Sequence, residues 1–347
     1  MATPNLSDDK CREALQAFET YGSKSVAATA LGLPRTTFSS RLYEARKRFP
    51  GDIPADVREV TVEQLPAAEI PFDEWLTRTK QDNSLRIAHE RAKAWQVVNI
   101  PCAGPYGLMF FGDPHMDDPY CDLDALERHA RICADTPGMF GVNGGDSINN
   151  WVGRLKALYA DQPTTAEQGW RLVEWFMHEM GIRWACWLLG NHDDWEMGFR
   201  IFDRIANAKV LMRNWDAKVI LRSPDGDCRL WARHDFKGTS IYNELHGLKR
   251  AAMFGGEADV YAAFHRHTWG TMSGELDSGK RFSLIRARGY KECDAYAIRN
   301  GFGEQTGGQS VVAVIQPRRG AGPIVHTFDD PETGADFLTF LRRKEAA

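Results

Sequence analysis

Five short apolar runs in the middle of the chain each end abruptly in Asp, His or Asn, and this pattern restricts the fold more than any other feature. GLMFFGDPH closes on Asp113 and His115, MFGVNGGD on Asp146, and WACWLLGNHD on Asn191, His192 and Asp193; CRLWARHD closes on His234, and DVYAAFHRH on His265 and His267. Runs this short and this apolar fit strands buried on both faces, and helical patterns at 122–134 and 165–180 lie between them, so an α/β chain is expected. In open α/β sheets, sites form beyond the carboxyl ends of strands, where these polar residues fall.

The residue types suit a pair of metal ions. Carboxylates, an amide oxygen and imidazoles without a thiolate favour manganese, iron or zinc over a soft metal, and a carboxylate can bridge two ions. Asp113 and His115 are two residues apart, as are His265 and His267. On extended chain that spacing sends both side chains of each pair to one face. Two close ions can clamp a phosphate, activate a water and neutralise charge at the phosphorus.

In this order D-x-H, G-D-x-x-N, G-N-H-D, H and H-x-H resemble the motifs of the calcineurin-like metallophosphoesterase superfamily, over roughly residues 107–330. The resemblance implies two packed mixed β-sheets flanked by helices, two divalent ions (Mn first, with Fe, Zn, Ni or Mg as alternatives) and attack by a metal-bound hydroxide. It implies that Asp113, His115, Asp146 and His267 hold one ion and that Asp146, Asn191, His234 and His265 hold the other, with Asp146 as bridge. His192 matches the non-ligand histidine that contacts the phosphate or protonates the leaving oxygen, and Asp193 is the acidic residue after it. The chain departs from the pattern at Asn149, where many relatives carry an Asp supporting the catalytic histidine; a neutral amide orients an imidazole but stabilises its cation less. Arg233 and Phe264 stand where glycine commonly precedes the fourth and fifth histidine positions.

The N-terminus is a different unit. Cys11, Ala14, Leu15 and Phe18 follow helical spacing, a second helix is expected from about Ser25 to Leu31, and Gly32 and Pro34 precede a third with Phe38, Leu42, Ala45 and Phe49 on one face. VAATALGLPRTTFSSRL resembles the Fis-like helix-turn-helix over about 25 residues. The resemblance makes DNA a partner, with Arg35, Thr36, Thr37, Ser40 and Arg41 as reading side chains and Arg46, Lys47 and Arg48 extending the basic surface. The bland alternative is a three-helix protein-binding module. One such head binds weakly, which leaves a homo-oligomer open.

Charge follows the same division. Residues 1–50 carry net +3 and the remainder net −7, within an overall −4 over 347 residues. Four segments are expected: 1–50, the helix-turn-helix; 51–106, a linker followed by a helix from Asp73 to Trp95; 107–330, the metallophosphoesterase domain; and 331–347, an amphipathic helical tail. No apolar stretch reaches the roughly 18 residues of a membrane span, and the opening MATPNLSDDK lacks the layout of a signal peptide, so a cytoplasmic protein is expected. The seven dispersed cysteines read as reduced core thiols.

A DNA-reading head raises the local concentration of DNA at a tethered site. A nucleic-acid phosphodiesterase, a DNA nuclease, is therefore the expected function, and the combination resembles proteins found in phages and prophages. The alternatives are a phosphomonoesterase or nucleotide phosphatase with a regulatory head, and a non-catalytic DNA-binding regulator. Trp151, Trp195 and Trp269 follow three of the motifs and can stack unpaired bases. Arg233, Arg266, Arg286, Arg288 and Lys291 are phosphate-binding candidates, with ordinary ion pairs as the alternative. The Gly-rich stretch from Asn300 to Gly308 reads as a lid or a plain surface connection.

Overall fold

The unbroken apolar runs YGLMFF and MFGVN form strands in which every residue is buried, because each strand is covered on both faces. The computed structural model describes residues 6–52, 70–92, 95–206, 210–292 and 310–346. The chain divides into two compact units, Met1–Gln81 and Asp82–Ala347.

In the first unit, helices α1 (Asp8–Tyr21), α2 (Lys24–Ala30) and α3 (Arg35–Arg48) pack around Ala14, Ala17, Ala27, Ala28, Phe38 and Leu42. The small alanines let the helices approach closely. Gly32, with φ of 64°, takes the left-handed turn between α2 and α3, as Gly22, with φ of 62°, does at the end of α1. A fourth helix, α4 (Phe72–Ala92), follows, and the division between units falls within it.

The second unit holds two six-stranded mixed sheets. Its elements in chain order are β1 (Gln96–Asn99), β2 (Tyr106–Phe111), α5 (Leu123–Asp135), β3 (Met139–Asn143), α6 (Ala166–Glu174), β4 (Trp184–Leu189), α7 (Asn191–Asp194), α8 (Gly198–Ala206) and β5 (Met212–Asn214). They continue with β6 (Asp216–Ser223), β7 (Gly226–Arg233), α9 (His246–Gly255), β8 (Val260–Ala263), β9 (Gly270–Glu275), β10 (Arg281–Arg286), β11 (Val311–Gln316), β12 (Ile324–Phe328) and α10 (Pro331–Ala346). One sheet has the order β12-β11-β2-β3-β4-β5, the other β1-β6-β7-β8-β10-β9. Alternation along β2 divides its side chains between two cores. Leu108 and Phe110 face the layer between the sheets, where they meet Val219, Leu230 and Val260; Met109 and Phe111 face the helices, where they meet Leu126, Phe176 and Leu338. A smaller cluster, including Leu248, Tyr261 and Leu284, lies under α9 on the far side of the second sheet.

This is the expected fold class: α/β, two packed mixed sheets flanked by helices, with a small all-α unit ahead of them. One strand of the sandwich lies ahead of the expected start of that domain. β1 lies inside 51–106 and pairs in parallel with β6, so the sandwich begins before residue 107; a four-residue strand on a sheet edge carries too little periodicity to be seen in the sequence. At the other end α10 falls where the amphipathic helix was expected, with Ala335 and Leu338 buried in the helix-side core. The expected linker falls largely on 53–69, and the Asn300–Gly308 stretch falls wholly outside the described residues. Among the described residues no helix is long and apolar enough to cross a membrane, and the six cysteines are all free.

Candidate metal centre

Five strands stop within three residues of a predicted ligand. β2, β3 and β4 run parallel in one sheet and β7 and β8 run parallel in the other, so their carboxyl ends bring the five motifs to one edge of the sandwich. Asp146 sits where two groups of ligand atoms meet. His115, Asp146 and His192 form one group with atoms within 4.8 Å of one another, and Asp146, His234 and His265 form the other. The remaining predicted ligands border them. Asp113 Oδ2 is 3.8 Å from His267 Nε2, and Asn191 Oδ1 is 3.2 Å from His234 Nε2. The His115 and His267 rings are 5.4 Å apart. All seven predicted ligands thus converge, and His192, expected beside the ions, also lies within ligand distance of His115 and Asp146.

The backbone differs from expectation. Asp113, His115, His265 and His267 are not extended: their φ angles are 29°, 42°, 67° and 52°, and that of Asp146 is 51°. Side chains two apart reach one site because the chain turns through the left-handed region beyond the strand ends, not because of strand alternation. Five of the eight non-glycine residues with positive φ among those described are these ligands. Strain of this kind persists where surrounding structure over-determines it and concentrates at functional sites.

Glycines make the close approach work. A Cβ on Gly190 would stand 2.2 Å from Asp146 Oδ1 and 2.5 Å from His234 Cε1. Asp193, fully buried, accepts Ser147 N–H at 2.9 Å and Gly190 N–H at 3.0 Å, tying the turn after β3 to the turn after β4. His234 Nδ1 lies 2.8 Å from the Gly144 carbonyl, which directs its other nitrogen toward Asp146.

The buried carboxylates and imidazoles strongly perturb one another. Both carboxylate oxygens of Asp113 are buried without a hydrogen bond, as is His115 Nδ1. A buried carboxylate without hydrogen bonds is costly, and nearby imidazoles or a cation can offset that cost. Burial pushes the Asp113 carboxyl well above the usual range, with His234 opposing and Asp146 adding to the shift. Burial acts against ionisation of Asp146 too, yet His234 and His192 hold it well below that range. Burial opposes protonation of His234, but the Asp146 and Asp113 carboxylates push it up to about 10. Burial, with Lys291 and His192, lowers His115 well below the ordinary imidazole value, keeping it neutral as a ligand must be.

Other expected roles resolve individually. The Asn149 side chain does not support His192: the Nδ1 of His192 donates to the Asn149 backbone carbonyl at 2.6 Å, and the amide is turned to Asp118 and Gln162. Arg266 is paired to Asp235 at 2.8 Å and Arg233 to Asp216 at 3.5 Å. Arg286 is buried, donating to the carbonyls of Phe264 and Glu244 and to Asp235, so it pins loops instead of facing a phosphate. Lys291 is buried against Asp118 at 2.8 Å. Trp151 and Trp195 flank His192, with ring centroids at 5.3 and 4.2 Å, whereas Trp269 packs against the inter-sheet core. Trp215, which sequence reasoning missed, lies 5.0 Å from His234 and 6.2 Å from His265. Its signal was faint: it follows no ligand motif and adjoins a three-residue strand.

In the first unit, Arg35, Thr36, Thr37 and Ser40 are exposed on α3 and Arg41 is half-buried. Arg46 and Arg48 do not extend that surface freely. Arg46 lies over the Phe18 ring at 5.0 Å, and Arg48 bonds Asp8 at 3.1 Å and the Leu6 carbonyl at 2.7 Å.

No family model matches this chain, and no curated protein matches it either. Among solved structures it is similar to a hypothetical protein from Thermus thermophilus, at 12% identity over 65% of this chain and 100% of that one, with a TM-score of 0.35. It is also similar to GAP50, the anchor in the inner membrane complex of Plasmodium, at 11% identity over 69% of this chain and 95% of that one, with a TM-score of 0.32. Likenesses this slight carry no argument, and function has to be read from the site itself.

Proposed function

We propose that this chain is a dinuclear metal-dependent phosphoesterase of the calcineurin-like type that hydrolyses nucleic-acid phosphodiesters. The observation that carries the reading is the shared position of Asp146 between two ligand groups, beside a buried Asp113 carboxylate whose oxygens accept no hydrogen bond. Asp113, His115, Asp146 and His267 would hold one ion and Asp146, Asn191, His234 and His265 the other, with manganese the expected metal. When bound, such ions lower the pKa of a water and neutralise charge on a phosphate in flight.

The chain's own groups supply the rest. Asp193 holds the turns after β3 and β4 in register. Because Nδ1 of His192 is committed to the Asn149 carbonyl, Nε2 is the ring nitrogen left to bind a phosphate oxygen or pass a proton to the leaving oxygen. Trp151 and Trp195 wall this imidazole and exclude water from one side of it. The exposed polar face of α3 supports DNA as the substrate class, and a second copy of the chain would supply the further contact that a single head needs.

One observation favours a smaller substrate. A groove of about 1110 Å³ beside Trp215 carries Glu90, Asp194, Asp203 and Asp216 against Arg213 and Lys218, an acidic balance unsuited to a long duplex. A phosphomonoesterase or nucleotide phosphatase with a regulatory head is the second reading. Manganese-supplemented hydrolysis of labelled single- and double-stranded DNA, a phosphomonoester and a simple phosphodiester decides between them, with Asp146→Asn as control. DNA cleavage abolished by Asp146→Asn is the expected result. Turnover of the monoester alone selects the second reading, and bound metal without any turnover leaves a non-catalytic regulator.

A further inference from the structure

His115 N–H donates to the Asp146 carbonyl at 3.0 Å and Met116 N–H to the Ser147 carbonyl at 2.9 Å, so the turns after β2 and β3 run side by side. Asp117 continues this ladder with its side chain. Its Oδ1 accepts the Asn149 N–H at 2.6 Å, and its Oδ2 accepts Gln162 Nε2 at 2.8 Å. Gln162 Oε1 in turn accepts from Trp151 Nε1 at 3.0 Å and from Asn149 Nδ2 at 3.3 Å, and Asn149 Nδ2 also donates to Asp118 at 2.9 Å. Asp117 is 1% exposed and belongs to neither ligand group.

Burying a carboxylate is unfavourable unless its hydrogen bonds are met, and here they are met by groups that converge on one residue. That residue, Asn149, presents the carbonyl that accepts His192 Nδ1–H. A carbonyl accepts and cannot donate, so it selects the imidazole tautomer protonated at Nδ1.

We propose that Asp117 is a positioning residue for His192, clamping Asn149 so that its carbonyl holds the imidazole as the Nδ1–H tautomer with Nε2 turned to the reacting phosphate. The inference rests on the phosphoesterase reading for what Nε2 does, though not for how the ring is held. The chain replaces a direct side-chain carboxylate on the histidine with a carboxylate one residue removed, acting through backbone.

The test is nitrogen-15 NMR of the histidine-labelled, metal-free full chain, comparing the wild type with Asp117→Ala and Asp117→Asn. Wild type should show His192 protonated at Nδ1 and folded Asp117→Ala a mixture of tautomers; Asp117→Asn, whose amide oxygen still accepts Asn149 N–H but whose NH2 meets the Gln162 Nε2 donor, should lie between them. In the metal-loaded chain, Asp117→Ala should lower kcat by about 10–100-fold, as loss of an outer supporting partner does, with KM and metal content unchanged and part of the loss restored in Asp117→Asn, which keeps the acceptor for Asn149 N–H. If Asp117→Ala does not fold, Gln162→Ala removes one donor from the same carboxylate and should act in the same direction. A His192 tautomer identical in the wild type and the folded variant overturns the proposal, even if kcat falls. Absence of wild-type hydrolysis overturns the functional reading alone, because the tautomer is read without substrate.

Discussion

The Nε2 of His234 stands 3.2 Å from Oδ2 of Asp146, with both side chains buried. In the metal-free chain Asp146 and Asp113 raise His234 from 6.5 to about 10 against the opposing effect of burial, which favours an ion pair between His234 and Asp146. Metal binding at the proposed centre would need the same imidazole neutral, so proton and metal ion would compete for one place.

A pH dependence follows for the chelator-treated protein. The folded-state value of His234 lies above its unfolded one, so the stability it contributes is fully present below pH 6.5 and is lost as pH rises through about 10. Asp193 and Asp117, raised mainly by burial from 3.8 to about 7 and about 6, act in the same sense, their contributions fading as pH rises through those values. The Tm of the metal-free chain should therefore fall as pH is raised from neutral to about 10, above the range in which the lowered His115, His129, His192 and His265 act in the opposite sense. Calorimetric metal titration should show proton release and tighter binding at higher pH. A metal-free Tm that climbs between neutral pH and about 10 would contradict this account.

Gly190→Ala should disturb the centre without touching a ligand. The added methyl carbon would lie 2.2 Å from Asp146 Oδ1, far inside contact distance, and the overlap should cost about 1–3 kcal/mol. Lower Tm together with weakened metal uptake is the expected pair of readings. Unchanged metal affinity would show that the turn yields without moving Asp146.

Asp193→Asn tests the tie between two turns. One amide oxygen cannot accept both Ser147 and Gly190 N–H groups, so one buried donor loses its acceptor, at a cost of about 1–3 kcal/mol. Thermal unfolding should register the loss, and metal stoichiometry should fall because both turns carry ligands. Full stoichiometry at wild-type affinity would mean that the strands alone hold the site.

Two arginines on α3 should separate by role. Arg35→Ala should weaken DNA binding and reduce its salt slope by about 1, whereas Arg48→Ala, which breaks the bonds to Asp8 and the Leu6 carbonyl, should chiefly lower the stability of the helical unit. Filter binding across a salt series, with helical melting by circular dichroism, reads both. Equal salt slopes for Arg35→Ala and the wild type would remove α3 from the DNA-contacting surface.

The sequence alone determined the strands that matter and the residue types at their ends. A strand covered on both faces must be apolar throughout, so β2, β3, β4, β7 and β8 were legible in the order of residues, and so were the seven Asp, His and Asn residues that converge beyond their ends. The packing of the N-terminal helices was legible for the same reason, since Phe38, Leu42 and Ala14 had to share a core.

What only the tertiary structure decided depends on groups far apart in the chain. The left-handed turns at Asp113, His115, Asp146, His265 and His267 belong to backbone conformations that their residue types do not announce. The pairing of β1 with β6 rests on partners more than a hundred residues apart. The carbonyl of Asn149 behind His192, the carboxylate of Asp117 behind Asn149, and the burial of Arg286 and Lys291 are likewise invisible to spacing. Local sequence fixes which chemistry a residue can perform, but hydrogen-bond partners and burial are set by contacts between distant segments, and these decide which atom of each residue faces the site.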